Sequence, residues 1–335
     1  MTHPETDDTA CPWTQESILA AARGFQEVRV LLTAAELDLF TALSRASRSA
    51  EQLAAELGAN VRALTILLDA LAALGLLSKS EGTYRSVPSA ACYLSSDSPQ
   101  TVLPMVLHSV NLWDRWGKLT SIVAGPAATR KATENSLEAF IGAMHVVASP
   151  ITPRIVALVD PGPARRLIDV GGASGTYAVA FMRASPGLHA TIFDRPAVLS
   201  MARALLTTEG MTDRVTLAAG DFYVDPLPTG HDLAFVSAII HQNSPAQNVE
   251  LFRKVYAALD AGGRIVVRDH VLSEDRTQPR RGAMFAVNML VGTGGGNSYT
   301  YAEIADGLTQ AGFERVKLIH ADSHMDGLVE AFKPT

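Results

Sequence analysis

Two cysteines, Cys11 and Cys92, are all the thiol chemistry in this 335-residue chain. Neither sits in a CxxC or Cys/His cluster, so the sequence points away from both a zinc site and a disulfide framework, and no metal site is expected. Aromatic residues make up only 6% of the chain, which leaves few rings to sandwich a flat ligand. Basic residues are outnumbered by acidic ones, 28 to 34, for a net charge of −6. That balance argues against nucleic acid or an anionic membrane as the main partner. No run of about 18 apolar residues is present, which argues against a membrane span. The opening MTHPETDDTA is acidic and lacks an apolar signal region, so a reducing cytoplasm is the expected compartment.

What the chain does have is apolar mass, with 47% hydrophobic residues. That suffices for a large core and suggests roughly two domains of about 150 residues each. In ILAAARGFQEVRVLLTAAELDLFTAL the apolar residues recur at three and four positions, as on one helix face. Ser49 followed by Gln52 fits a capping box, and Gly58 fits a C-cap. NVRALTILLDALAALGLL reads as another helix ending at Gly75, and LSKSEGTYRSV as a hairpin turning at Glu81-Gly82. Helix, turn, helix and hairpin together form a winged-helix pattern.

Two uses of that module compete. A DNA-reading one needs basic and polar residues on its second helix. That helix offers Arg62 and Asp69 on an otherwise apolar face, which favours packing or dimerisation. Apolar residues around Val28, Leu31, Leu32 and Phe40 also favour a partner chain, and an obligate homodimer is expected. A winged-helix regulator with a cofactor-sensing domain is the alternative of another class.

Residues 101–160 read as helical, with ENSLEAFIGAMHVVA as one helix, and DPGPARR then breaks the chain. Beyond it RLIDV, HATIFD, RVTLAAGD, DLAFVSAII and GRIVVRD alternate with helical stretches at about 175–184, 196–208, 245–259 and 301–311. This is the pattern of βαβ units around a parallel sheet, closed by FERVKLIHA and GLVEAFK. The expected divisions are 15–100 for the winged-helix-like unit, 101–160 for a helical linker beside the substrate pocket, and 161–335 for the α/β domain.

LIDVGGASGTYAVAFM places a glycine-rich turn between a buried strand and a helix, where the backbone can approach a ligand closely. The next strand ends in Asp194 and the third in Asp221, so three acids converge on the edge where open α/β folds bind ligands. A dinucleotide fits poorly. The spacing is GGASG rather than GxGxxG, and Asp169 before the loop would repel a pyrophosphate. It suits a cation, such as the amino group of a methionine-derived sulfonium.

LIDVGGASG, IFDRP, GDF and IIHQNSPAQNVELFRKVYAALDAGGRIVVRD resemble the motif series of class I S-adenosylmethionine-dependent methyltransferases. More narrowly, they resemble the caffeate and acetylserotonin O-methyltransferase family, over about residues 20–332. The resemblance implies an α/β fold, a Rossmann-like doubly wound sheet of seven strands with the last antiparallel. It also implies that a mostly α-helical winged-helix dimerisation domain precedes that sheet. It makes S-adenosyl-L-methionine (SAM) the cofactor. Gly171, Gly172 and Gly175 would line its methionine part beside Asp169, Asp194 would bind the ribose hydroxyls, and Asp221 with Phe222 would hold the adenine. Arg195, Gly220 and Ser237 would complete that site.

His241 ends the fourth apolar strand, where the family carries its base in an HDW-like motif. A histidine that titrates near neutrality suits removal of a hydroxyl proton. Asp269 matches one of the carboxylates that steady the family's base. The chain departs from the pattern twice. Gln242-Asn243 replace Asp-Trp, and Asn297-Ser298 stand where a second acid belongs. A thioether or thiol acceptor, such as a methylthio-hydroxy acid, would need no base, so sulfur remains open beside oxygen for the small-molecule acceptor. His145, Met284, Asn288 and Met289 are the candidate acceptor residues, with His108, Arg115, His270, Arg280 and Arg281 nearby in the expected pocket.

Overall fold

The computed structural model describes residues 13–124, 141 and 144–335. The expected helix over 134–148 falls largely outside them. The long helical pattern at the N-terminus divides into three helices, α1 (Gln15–Arg23), α2 (Phe25–Glu36) and α3 (Leu39–Arg45). Apolar spacing continues across the breaks, so periodicity alone does not mark them. Asp38, in the left-handed region at φ 49°, turns the chain between α2 and α3. The strand β1 (Arg48–Ser49) leads into α4 (Ala50–Leu57), whose Ser49–Gln52 capping box and left-handed Gly58 cap match the sequence signals. Helix α5 (Val61–Ala73) and the hairpin β2 (Leu77–Ser80) and β3 (Thr83–Ser86) complete the module, with strand order β1-β3-β2.

Leu39, Phe40, Leu43, Leu68 and Leu71 form the centre of this unit's core and are fully buried. Each such side chain contributes about 1.5–3 kcal/mol by leaving water. Asp69 is buried too, and its Oδ1 accepts from the Lys79 Nζ and the Tyr84 hydroxyl, both at 2.6 Å. The aspartate therefore ties helix to wing and faces inward. Helix α6 (Pro88–Leu94) follows, then α7 (Leu103–Trp116), α8 (Leu119–Ala124) and, past 144, α9 (Thr152–Val159).

The second unit is a seven-stranded sheet. Its strands are β4 (Arg166–Val170), β5 (His189–Asp194), β6 (Val215–Ala219), β7 (His231–Ser237), β8 (Leu259–Asp269), β11 (Glu314–His320) and β12 (Gly327–Phe332). The order is β11-β12-β8-β7-β4-β5-β6. Strands β4 to β8 run parallel, and β12 lies antiparallel between β8 and β11. Helices α10 (Thr176–Ala184), α11 (Pro196–Thr208), α12 (Pro245–Ala258), α13 (Arg280–Gly292) and α14 (Tyr301–Gln310) connect or cover them. A two-stranded parallel pair, β9 (Val271–Leu272) with β10 (Tyr299–Thr300), brackets α13.

Strand order reverses between β4 and its neighbours β5 and β7, which opens a crevice at their C-terminal ends. Helix α13 packs along α5 and joins the two units. A DNA-reading winged helix would leave that second helix free for a major groove. Here it is seated against the α/β unit. Among the described residues no helix is long and apolar enough to cross a membrane.

Candidate active site

The crevice is built on backbone. Gly171 and Gly175 adopt φ of 69° and 80°, where a side chain is strained. Gly172 needs its hydrogen for a different reason: a Cβ there would lie 2.8 Å from the Asp169 Cγ and 2.9 Å from the Ile192 Cγ2. A Cβ at Gly171 would meet the Ile239 Cδ1 at 2.5 Å, so the loop presses against the turn that carries His241. Helix α10 begins at Thr176 without a side-chain cap, which leaves its first N–H groups facing the loop.

Three acids meet this loop. Asp169 is 2% exposed, and its Oδ2 finds no hydrogen-bond partner among the described residues. Burial, with the charge of Asp194 adding to it, pushes its carboxyl up to about 7. The Asp194 carboxylate accepts the backbone N–H of Ala173 at 2.9 Å and of Arg195 at 2.7 Å. Burial still raises it above the usual carboxylate range, against the pull of those two donors. Asp221 accepts the Tyr223 N–H at 2.9 Å, and Phe222 stacks obliquely on Tyr223 with centroids 4.7 Å apart. Gly220 leaves room for the Phe193 ring, which a Cβ would meet at 2.4 Å. A buried carboxylate with one oxygen unpartnered, beside a glycine cradle, fits a ligand with positive charge, and the exposed side of Asp194 fits hydroxyls.

At the end of β7, Ala238 takes a left-handed φ of 56° and turns the chain into a short 3-10 segment, Ile240–Gln242. This delivers His241 to the crevice. Its Nδ1 lies 3.0 and 2.9 Å from the two Asp269 oxygens. Asp269 is 1% exposed, and burial alone would raise its carboxyl. The charge and hydrogen bond of His241, with His270 beside it, outweigh burial and hold it below the usual range. An ionised carboxylate cannot donate, so the Nδ1–H of the imidazole is the donor in this pair, and whenever the ring is neutral its lone pair lies on Nε2. Phe285 meets the imidazole edge-on at 4.8 Å.

Two family models match the chain: the O-methyltransferase domain over residues 122–314 and the O-methyltransferase dimerisation domain over 19–96. The chain belongs to the O-methyltransferase family. Among its relatives, 3-hydroxy-5-methyl-1-naphthoate 3-O-methyltransferase of Streptomyces sahachiroi is 33% identical over 325 residues, covering 93% of each chain. The crystal structure of an O-methyltransferase family 2 protein from Planctomyces limnophilus in complex with apigenin has a TM-score of 0.80 at 27% identity, covering 96% of this chain and 97% of that one. Human N-acetylserotonin methyltransferase in complex with SAM has a TM-score of 0.57 at 26% identity, covering 97% and 99%. This O-methyltransferase is accordingly a SAM-dependent enzyme.

The structure places the other sequence candidates less uniformly. Arg195 contributes its backbone N–H to Asp194 while its side chain is exposed. The Ser237 Oγ accepts from Arg268 at 3.0 Å, and that buried guanidinium also lies over the Tyr177 ring at 5.3 Å. His145 sits against the glycine loop, its Nδ1 2.9 Å from the Thr176 Oγ1, and no contact joins it to His241. Met284 and Asn288 face the N-terminal unit. They line a groove of ≈ 320 Å³ against α2 and α5, together with Arg29, Val30 and Leu67. Met289 is buried one turn beyond Phe285, on that residue's face of α13. Arg280 pairs with Glu27 at the surface, and His108, Arg115 and Arg281 are exposed.

Phe285 and Arg268 carry no sequence signal of their own and read as plain core and strand positions. His270 is buried against Phe285 with centroids 5.0 Å apart, and burial lowers its imidazole to about 4, so it is neutral. Asn243, where the family has Trp, is fully buried. It accepts from the Tyr223 hydroxyl at 2.6 Å, donates to Asn248 at 2.9 Å, and its carbonyl takes the Tyr299 hydroxyl. Its part is to knit the turn. Asn297 and Ser298, in place of the second acid, make local bonds: the Asn297 Oδ1 accepts the Ser298 N–H, and the Ser298 Oγ donates to the Gly282 carbonyl.

Away from the crevice, His320, Asp322 and Asp326 bring potential ligand atoms within 4.8 Å of one another. The guanidinium of Arg154 occupies that cluster, 3.0 Å from the His320 Nε2 and 3.4 Å from each aspartate. A cation is already supplied there.

Proposed function

We propose that this enzyme methylates a phenolic hydroxyl on a small polycyclic aromatic molecule, with His241 as the base and Asp269 as the group that orients it. One observation carries this reading: the imidazole that follows β7 is clamped at Nδ1 by the buried carboxylate of Asp269, which leaves Nε2 as the nitrogen available to an acceptor. Asp169 would meet the positive charge of the cofactor across Gly171, Gly172 and Gly175. Asp194 would take the ribose hydroxyls, and Asp221 with Phe222 would flank the adenine. When bound, SAM would supply an electrophilic methyl group, its carbon–sulfur bond breaking with the electron pair left on sulfur. His241 removes the acceptor's hydroxyl proton at Nε2, and the freed oxygen lone pair forms the new bond to carbon. The carboxylate of Asp269 stabilises the resulting imidazolium. The remaining work is positioning.

A ring-bearing acceptor is supported by Phe285, which lies edge-on to His241, and by the relatives, one named for a hydroxynaphthoate and one solved with the flavone apigenin. An oxygen acceptor is favoured over sulfur because a thioether leaves the His241–Asp269 pair without work. Methyl-labelled SAM offered with a hydroxynaphthoate, a flavone and a methylthio acid tests this. Label is expected on the phenols, and label on the methylthio acid alone would overturn the reading.

The enzyme is further proposed to act as a homodimer through α1 and α2. Trp13, Ile18, Phe25 and Val28 are 56, 53, 55 and 48% exposed, an apolar strip within and just ahead of the matched dimerisation segment. Light scattering at micromolar concentration is expected to return twice 35.6 kDa. A monomer mass would refute it.

A further inference from the structure

Arg62 is the one arginine on the helix that a DNA-binding module would present, and it is used for something else. It stands in the first turn of α5, where a cation opposes the helix dipole, and Asn60 already caps that turn through the Ala63 N–H at 2.9 Å. Helix formation therefore gives no reason for an arginine here. Its guanidinium instead crosses to the catalytic unit and donates to the Gly296 carbonyl.

The loop it reaches lies directly behind His241. The Asn297 N–H donates to the His241 carbonyl at 2.8 Å, and the Gly296 N–H donates to the Thr293 Oγ1 at 2.8 Å. Gly296 approaches so closely that a Cβ would lie 2.4 Å from the His241 carbonyl oxygen. Gly295 packs on Ser244, its Cβ position 3.1 Å from that of the serine. On the other side of the loop Arg276 donates to the Ser298 carbonyl at 3.3 Å. A cavity of ≈ 220 Å³, lined by Arg62, Thr65, Arg276 and Asn297, flanks these contacts. Beside that cavity, the Arg62 guanidinium adds a polar tie from the N-terminal unit to this loop, alongside the packing of α13 on α5.

We infer that Arg62 is a positioning residue for methyl transfer. Through Gly296 and Asn297 it fixes the backbone of the turn that aims the His241 imidazole, so the N-terminal unit sets the alignment of the base. This rests on His241 acting as the base. A misplacement of about 1 Å at such a group costs up to roughly a hundredfold in rate.

The test compares Arg62→Met, Arg62→Lys and His241→Ala, measuring kcat and KM for a phenol, cofactor Kd by calorimetry, and rate with a phenol already ionised at the assay pH. Arg62→Met is expected to lower kcat by roughly tenfold, with cofactor Kd changed by less than about twofold. The loss should shrink for the ionised acceptor, which needs no base, and Arg62→Lys should recover most of the rate. Unchanged kcat in Arg62→Met, while His241→Ala is inactive, overturns the role of Arg62 alone. A loss equal for both acceptors and not rescued by lysine overturns it as well. Full activity of His241→Ala on the neutral phenol overturns the base itself. If Arg62→Met does not fold, Gly296→Ala carries the test. Its Cβ must displace the His241 carbonyl and lower kcat in the same acceptor-dependent way, and wild-type kcat there overturns the proposal.

Discussion

His241→Ala is expected to lower kcat for a neutral phenol by about two to four orders of magnitude, the usual contribution of a positioned base. Cofactor Kd should stay near the wild-type value, because the residues proposed to hold it belong to β4, β5 and β6 and the loops after them. The alanine removes the free Nε2 and leaves Asp269 buried without its main partner. Some activity should return as the pH approaches the phenol's own pKa of about 10, since the acceptor then arrives ionised. A rate–pH profile of the variant checks both points. Wild-type rates near neutral pH would show that the histidine only orders the turn.

Asp169→Asn is expected to weaken cofactor binding by roughly tenfold or more, as loss of one charge-assisted contact does, while stabilising the protein that has no cofactor. The carboxyl is held near 7 by burial, with Asp194 adding to the effect. Below that pH the free protein carries it neutral, so cofactor affinity should fall as pH drops through 7 and level off above it. Stability runs the other way. The native carboxyl binds its proton more tightly than the unfolded one, whose ordinary value is 3.8. Its favourable contribution is complete below 3.8 and is lost as pH rises through 7. At pH 8 the fold therefore carries a buried unpaired charge, which asparagine removes. The variant's cofactor-free Tm at pH 8 should rise by about 2–5 °C. A lower Tm together with unchanged affinity would show that Asp169 is an ordinary structural carboxylate.

Much of this geometry is legible in the chain because parallel strands buried on both faces write themselves as short apolar runs. Asp169, Asp194 and Asp221 could be placed at one edge for that reason, whereas the apolar run before His241 overstates its strand: β7 stops at Ser237, and the turn at Ala238 puts His241 in a 3-10 segment beyond it. The helices over 176–184 and 196–208 fall where their spacing puts them. Tertiary contacts have no such local record. Arg62 reads as a lone positive charge on an apolar helix, and its partner is a backbone carbonyl 234 positions away. The groove that Met284 and Asn288 line against α2 and α5 was hidden for a related reason. A period of 3.6 shows that α13 has apolar faces, but not which face meets which neighbour. Gln242-Asn243 read as a loss of chemistry beside the histidine, whereas burial gives Asn243 a structural part.

Helix α13 is a party wall. One side, with Met284 and Val287, lines the groove against the N-terminal unit, and Phe285 on the other turns its ring to His241. Neighbouring positions along one helix thus answer to different neighbours. On the proposed reading, a change at 285 reaches the acceptor side while 284 and 287 keep the joint between units. An insertion or deletion of a single residue would rotate the faces beyond it by about 100° and misalign both. Diversification of such enzymes is therefore confined here to substitution at a constant helix register.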